Sequence, residues 1–144
     1  MKKLRISLKR RAALCADRII LAGPKLAYVL VADKKLKYKT GRSRIVYIGT
    51  TKNGKGRVAE SVATRAEQIL KLHGVLGFEA RIVTCTAKQN VRSWHKLEMA
   101  LILVFREQFG ETPKCNDKGK AKKATDHFTY FSKERLTTVI EDLS

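Results

Sequence analysis

Two phenols, a guanidinium, a carboxylate and a carboxamide stand out in this chain as groups that could do chemistry: Tyr28, Tyr47, Arg57, Glu98 and Asn116. Glu98 falls one turn from Trp94 and one turn from Leu101 and Ile102, on or beside the apolar face of a long helical pattern. A carboxylate there is costly to bury unless a cation, a metal or hydrogen bonds stabilise it. It is either an edge residue that reaches water or a ligand for Mg²⁺ or Mn²⁺, hard ions that keep most of their waters and need few protein carboxylates. Tyr28 and Tyr47, taken singly, are ordinary half-buried strand residues. Near the ends of paired strands, both hydroxyls would point into one cleft. A free tyrosine has a pKa near about 10, so it needs a neighbouring cation or a metal-bound water to act as a base near neutrality. Arg57 lies near the start of a helical pattern, where a guanidinium backed by the helix N-terminus suits a phosphate oxygen and its transition-state charge. Its spacing from Tyr47-Ile48-Gly49 singles it out from a crowd of solvated basic residues, and Arg65, two turns on, is the fallback. Asn116 closes Pro113-Lys114-Cys115-Asn116, a common turn pattern.

The hydrophobic pattern predicts the elements that would position these groups. Lys25 to Ala32, rich in Val, Leu and Tyr, reads as a strand, and Ile45 to Gly49 as its partner. Between them, Asp33 to Arg44 holds Lys34, Lys35, Lys37, Lys39, Arg42 and Arg44 around Gly41 and reads as a long basic hairpin connection. From Arg57 to His73, Val58, Val62, Ala66, Ile69 and Leu70 recur at helical spacing, with Gly74 as the C-terminal cap. Phe78 to Cys85 alternates and predicts a third strand. Thr86 with Gln89 predicts a capping-box start for a helix over Ala87 to Phe109. Its apolar face is Val91, Trp94, Leu97, Leu101, Val104 and Phe105, and Gly110 ends it. A polar loop follows over 111–127, and Ser132 caps a last helix to Leu143 with Leu136, Val139 and Ile140 inward. Ahead of these elements, residues 1–24 form a basic extension ending at Gly23-Pro24. Within it Leu4, Ile6 and Leu8 alternate as in a short strand, and 12–22 suit a short helix. The predicted class is α+β, a small three-stranded antiparallel sheet flanked by helices, as one domain over 25–144.

Tyr28 in Leu26-Ala27-Tyr28, then Tyr47-Ile48-Gly49, Arg57, Glu98 and the final Pro113-Lys114-Cys115-Asn116 together resemble the GIY-YIG nuclease superfamily over about residues 25–116. The element order is also similar. The resemblance implies a metal-dependent endonuclease. Glu98 would be the Mg²⁺ or Mn²⁺ ligand, Tyr28 and Tyr47 the two motif tyrosines, and Arg57 the phosphate arginine. Asn116 would brace the site by hydrogen bonds. Of the tyrosines, Tyr28 is assigned the proton of the attacking water and Tyr47 the orientation of water or phosphate. Three departures stand against the family pattern. The first motif lacks its leading glycine and isoleucine. The tyrosines lie nineteen residues apart, wider than the usual hairpin. Ser61 occupies the position where many members carry His or Tyr, which leaves the general base open.

Charge narrows the partners. The chain carries 31 Lys and Arg against 13 Asp and Glu, a net +18. Seventeen of the basic residues fall within the first 57 positions against only Asp17 and Asp33. A field so strong and lopsided favours a polyanion, DNA first and RNA next, over a membrane surface. Lys34, Lys35, Lys37, Lys39, Arg42, Arg44, Lys52, Lys55 and Arg65 are the candidate nucleic-acid contacts; such contacts position a substrate without specifying bases. No helix-turn-helix, zinc finger or RNP-like motif is present, so a protein partner would supply specificity. Cys15, Cys85 and Cys115 have neither disulfide nor zinc-ligand spacing, which fits the reducing cytoplasm, at the nucleoid in a bacterium. The apolar part of the extension is broken by Asp17 and Arg18, which argues against a secretory signal or a membrane span. The leading expectation is a DNA endonuclease. Its rivals are a non-catalytic basic DNA- or RNA-binding protein that keeps the nuclease fold, and a ribosome-associated factor.

Overall fold

An antiparallel hairpin organises the chain. Its strands are β1 (Leu26–Lys37) and β2 (Arg42–Thr51), in a computed structural model that describes residues 5–8, 10, 25–117 and 127–144. The later elements are α1 (Lys55–Leu70), β3 (Phe78–Val83), α2 (Ser93–Phe109), α3 (His127–Tyr130) and α4 (Lys133–Leu143). The sheet order is β2-β1-β3, antiparallel throughout, so the fold is the α+β class expected. Central β1 is buried from Leu26 to Ala32, on both faces, and its sequence accordingly shows no alternation. The core is completed by Phe105, Leu101 and Ile102 of α2, Ile69 of α1 and Ile140 of α4, all buried.

The basic stretch 33–44 is not a long connection. β1 continues through it to Lys37, and only Tyr38 to Gly41 turn the chain, closed by the Tyr38 N–H donating to the Gly41 carbonyl at 3.1 Å. Gly41 takes the left-handed φ of 77° that this turn requires. The hairpin stays ordered because it has an apolar side. Leu36, Tyr38 and Ser43 are buried. The Tyr38 ring meets Phe105 edge-on at 5.0 Å and Phe109 at 5.9 Å, while its hydroxyl donates to the Ile45 carbonyl at 2.6 Å.

The helix ends show where local signals fail. α2 begins at Ser93, six residues after the expected Ala87, and its N-cap Arg92 makes no side-chain cap. Asn90 sits at φ 59°, a left-handed turn that a helix cannot contain, so the Thr86–Gln89 box is not used and Val91 stays outside the helix. α1 stops at Leu70 with Lys71 as its cap, leaving Gly74 (φ 74°) to the turn before β3. β3 ends at Val83, two residues short of Cys85. Two expected caps hold. Gly110 ends α2 in the left-handed conformation, its N–H donating to the Arg106 carbonyl at 2.8 Å. Ser132 accepts from the Arg135 N–H at the start of α4. No pattern in the sequence announces the four-residue α3. In the extension, residues 5–8 form no strand, with Ile6 and Leu8 exposed. The helix expected at 12–22 and the Gly23-Pro24 turn lie outside the described residues.

Candidate active site

The two tyrosines share a face because Tyr28 pairs with Gly49 and Tyr47 stands two residues before it, opposite Leu30. Leu30 pairs with Tyr47 but Val31 pairs with Ile45, leaving Val46 as the extra residue. This bulge breaks the alternation along β2, so Tyr47 lies on the side opposite Ile45. The rings lie 6.0 Å apart, tilted at 39°. Gly49 pairs with Tyr28 and makes the approach feasible. A Cβ there would fall 2.6 Å from Tyr28 Cζ and 2.6 Å from Tyr47 Cε1, closer than any side chain tolerates.

Helix α1 lies over these rings. The Tyr28 hydroxyl is hydrogen-bonded to Ser61 Oγ at 2.5 Å. Burial pushes the Tyr28 hydroxyl up to about 12, partly offset by the Ser61 bond and reinforced by the charges of Tyr47 and Glu98. Arg65 stacks its guanidinium 4.6 Å from the Tyr47 ring centre and donates to the Cys115 carbonyl at 3.3 Å. Arg57 is exposed one turn into α1 and bound to Glu60 at 2.7 Å. The Glu60 hydrogen bond and charge hold its guanidinium above its ordinary value, with the smallest contributions from Tyr28 and Tyr47, which places it within electrostatic reach of them.

Glu98 is buried on α2, its carboxylate 3.4 Å from His95 Nδ1 one turn earlier. Glu98 is therefore not an edge residue that reaches water. Among the described residues no three His, Cys, Asp or Glu gather as a metal cluster. A single protein carboxylate fits a hard, largely hydrated ion and does not fit zinc, which takes several protein ligands. Asn116 does not reach the tyrosines. It accepts from the Ile48 N–H at 2.9 Å and donates to the Ile48 carbonyl at 2.8 Å, gripping both backbone groups between Tyr47 and Gly49. Beside it the Cys115 N–H donates to the Val46 carbonyl at 2.9 Å. The Pro113–Asn116 segment thus pairs with the outer edge of β2 and holds the bulged, tyrosine-bearing stretch in place.

Of the basic candidates, Lys35, Lys37, Lys39, Arg42 and Lys52 are exposed. Lys34 and Arg44 are half-buried, and Lys55 opens α1. Lys35, Lys37, Arg42 and Arg44 alternate with the buried Leu36, Ser43 and Ile45 and so line the other side of the hairpin. By the same alternation and the Val46 bulge, that is the side on which Tyr47 lies. Arg65 is committed to Tyr47 and Cys115 rather than to the open surface.

Tyr28, Tyr47, Ser61 and Arg65 are therefore in direct contact, Glu98 and Arg57 bear on them electrostatically, and Asn116 acts through the backbone of β2. Sequence reasoning missed the Tyr28–Ser61 bond and the Arg65 stack, which depend on how α1 crosses the sheet. The His95–Glu98 pair was open to detection, since residues three apart share a helix face. No helix among the described residues is long and apolar enough to cross a membrane. No family model, curated protein or solved structure matches the chain.

Proposed function

We propose that this chain is a metal-dependent endonuclease that hydrolyses phosphodiester bonds in DNA, as its resemblance to the GIY-YIG superfamily implies. The observation that carries the reading is the convergence of Tyr28 and Tyr47, wedged by Gly49, beside the buried Glu98 and under an arginine-bearing helix. Glu98 would hold Mg²⁺ or Mn²⁺, which when bound supplies Lewis-acid stabilisation of phosphate charge and acidifies its own water. Arg57 offers a phosphate oxygen two donors once it leaves Glu60, and that exchange of one anion for another is nearly balanced. Arg65 fixes the plane of the Tyr47 ring and so the position of its hydroxyl. At neutral pH the Tyr28 hydroxyl keeps its proton, so its oxygen accepts from the attacking water and orients it. The basic side of the hairpin would follow the duplex backbone, and a partner protein would choose the sequence.

One observation favours a second reading, a DNA- or RNA-binding protein without catalysis. The hydroxyl bonded to Tyr28 belongs to Ser61, which takes up no proton near neutrality. Incubating supercoiled plasmid and a labelled single strand with the protein, with Mg²⁺ or Mn²⁺ or with EDTA, separates the two. The nuclease nicks only with metal and loses nicking in Glu98→Gln and Arg57→Ala. A folded wild type that retards both substrates and leaves both intact establishes the binding protein instead.

A further inference from the structure

The two edges of the sheet are treated differently. β2 is closed by Pro113–Asn116, whereas β3 pairs only with β1, and nothing among the described residues pairs with its other side. The direction of the free groups can be read from the ladder. The Asp33 N–H donates to the Gly77 carbonyl at 2.9 Å, in the register that continues into β3. Backbone groups alternate along a strand, so Glu79, Arg81 and Val83 face β1, and the N–H and C=O of Phe78, Ala80 and Ile82 face outward. The same alternation places the Ile48 backbone outward on β2, where Asn116 takes it up.

We infer that β3 docks a second copy of this chain, pairing antiparallel about Ala80. The edge is complementary to itself in that register. Ala80 meets Ala80 of the second copy, and Phe78 meets its Ile82, so all the outward groups engage in about six backbone hydrogen bonds. Glu79 falls opposite Arg81 of the second copy, and Arg81 opposite its Glu79. Among the described residues these two exposed side chains form an ion pair with each other, at 3.1 Å. A shift of one residue would set Glu79 against Ile82 and lose both ion pairs. Leu76, 80% exposed just before the strand, would be covered by the far end of the partner strand. The net +18 opposes association, but salt screens it beyond about 8 Å at about 0.15 M, while the cross-strand pairs act at contact. The sheet would become six-stranded, in the order β2-β1-β3-β3-β1-β2. The two-fold axis is perpendicular to it, so both copies present their tyrosines on one face.

Sedimentation velocity on the full chain at moderate salt tests this. The expected species has twice the 16.3 kDa chain mass. Ala80→Pro removes an outward N–H that the single chain leaves to solvent, so it should fold, by circular dichroism, yet raise the dimer dissociation constant at least about tenfold. Glu79→Arg and Arg81→Glu should each be monomeric, and mixing the two variants should restore a dimer, because the mixed pair regains both ion pairs. A monomeric wild type overturns the inference, including one whose Ala80 amide is protected from exchange by the chain's own N-terminal extension. Dimers that survive Ala80→Pro unchanged, or charge variants that fail to recover on mixing, overturn it as well.

Discussion

Gly49→Ala is the sharpest perturbation the site allows. The new methyl would start 2.6 Å from Tyr28 Cζ, 2.6 Å from Tyr47 Cε1 and 2.7 Å from the Tyr28 hydroxyl oxygen. Ordinary contact is at least about 3.5 Å, so one or both rings must retreat by roughly 1 Å. Neither moves freely: Tyr28 is buried and bonded to Ser61, and Tyr47 is buried beneath Arg65. Overpacking of this kind costs about 1–3 kcal/mol, or about 4–12 °C in Tm for a chain of this size. Misplacing reacting groups by about 1 Å costs on the order of a hundredfold in rate. Differential scanning calorimetry and plasmid nicking on the same preparation would read both effects, with activity falling well before the folded fraction does. In a Tyr28→Ala background the clash with Tyr28 is gone and Tyr47 has room to retreat, so the two changes should couple by about 1 kcal/mol or more. A Gly49→Ala protein that melts within about 1 °C of the wild type would refute the packing described between the rings.

Three further outcomes follow from the geometry. Asn116→Ala orphans the buried N–H and C=O of Ile48 and should cost about 2–5 kcal/mol in urea unfolding; Asn116→Asp, which sets a carboxylate against the Ile48 carbonyl, should cost no less, and a neutral result for both would remove the bracing role. The Tyr28 hydroxyl is raised from 10.0 to about 12, so the folded chain holds a proton that the unfolded chain loses in that window. Its contribution to stability is complete below about pH 10 and disappears as pH climbs towards 12. Ultraviolet titration should accordingly show a tyrosinate step at about 12 that Tyr28→Phe removes, leaving the still later one of buried Tyr38, and an unchanged curve would count against the burial of the Tyr28 hydroxyl. Changing Lys35, Lys37, Arg42 and Arg44 together to Gln should flatten the salt dependence of duplex binding, lowering the logarithmic slope by about 3–4. An unaltered slope in gel retardation would place the DNA elsewhere on the protein.

Much of the fold was legible because burial writes periodicity into a sequence. The apolar run from Leu26 to Ala32 announced a strand, which the structure covers on both faces, and Leu97, Leu101, Val104 and Phe105 announced a helix with one apolar face. Boundaries were less legible where two local signals competed. The Thr86–Gln89 pair reads as a helix start, yet the left-handed Asn90 defers the helix to Ser93. The lysines of 34–39 hid the fact that Leu36 and Tyr38 between them give the hairpin a buried side. At the site, residue types and order selected Tyr28, Tyr47, Arg57 and Glu98, but contacts made across elements left no trace in spacing. Ser61 looked like a missing base and proved to be the hydrogen-bond partner of Tyr28. The Val46 bulge, which sets Tyr47 on the side of Arg44 rather than that of Ile45, adds one residue to a strand and has no compositional mark.

The short segment gripping Ile48 also limits what this sheet can become. Exposed strand edges are where concentrated proteins begin to aggregate, since each added strand offers a fresh edge to the next. Here the Asn116 carboxamide and the Cys115 N–H occupy the hydrogen-bonding positions an incoming strand would need on β2. Among the described residues the middle of β2 is shut and β3 is open, so a copy that added at β3 would arrive with the Val46–Ile48 stretch of its own other edge already taken. Growth by strand pairing therefore stops after one step, and the molecule carries its own chain terminator against fibre formation.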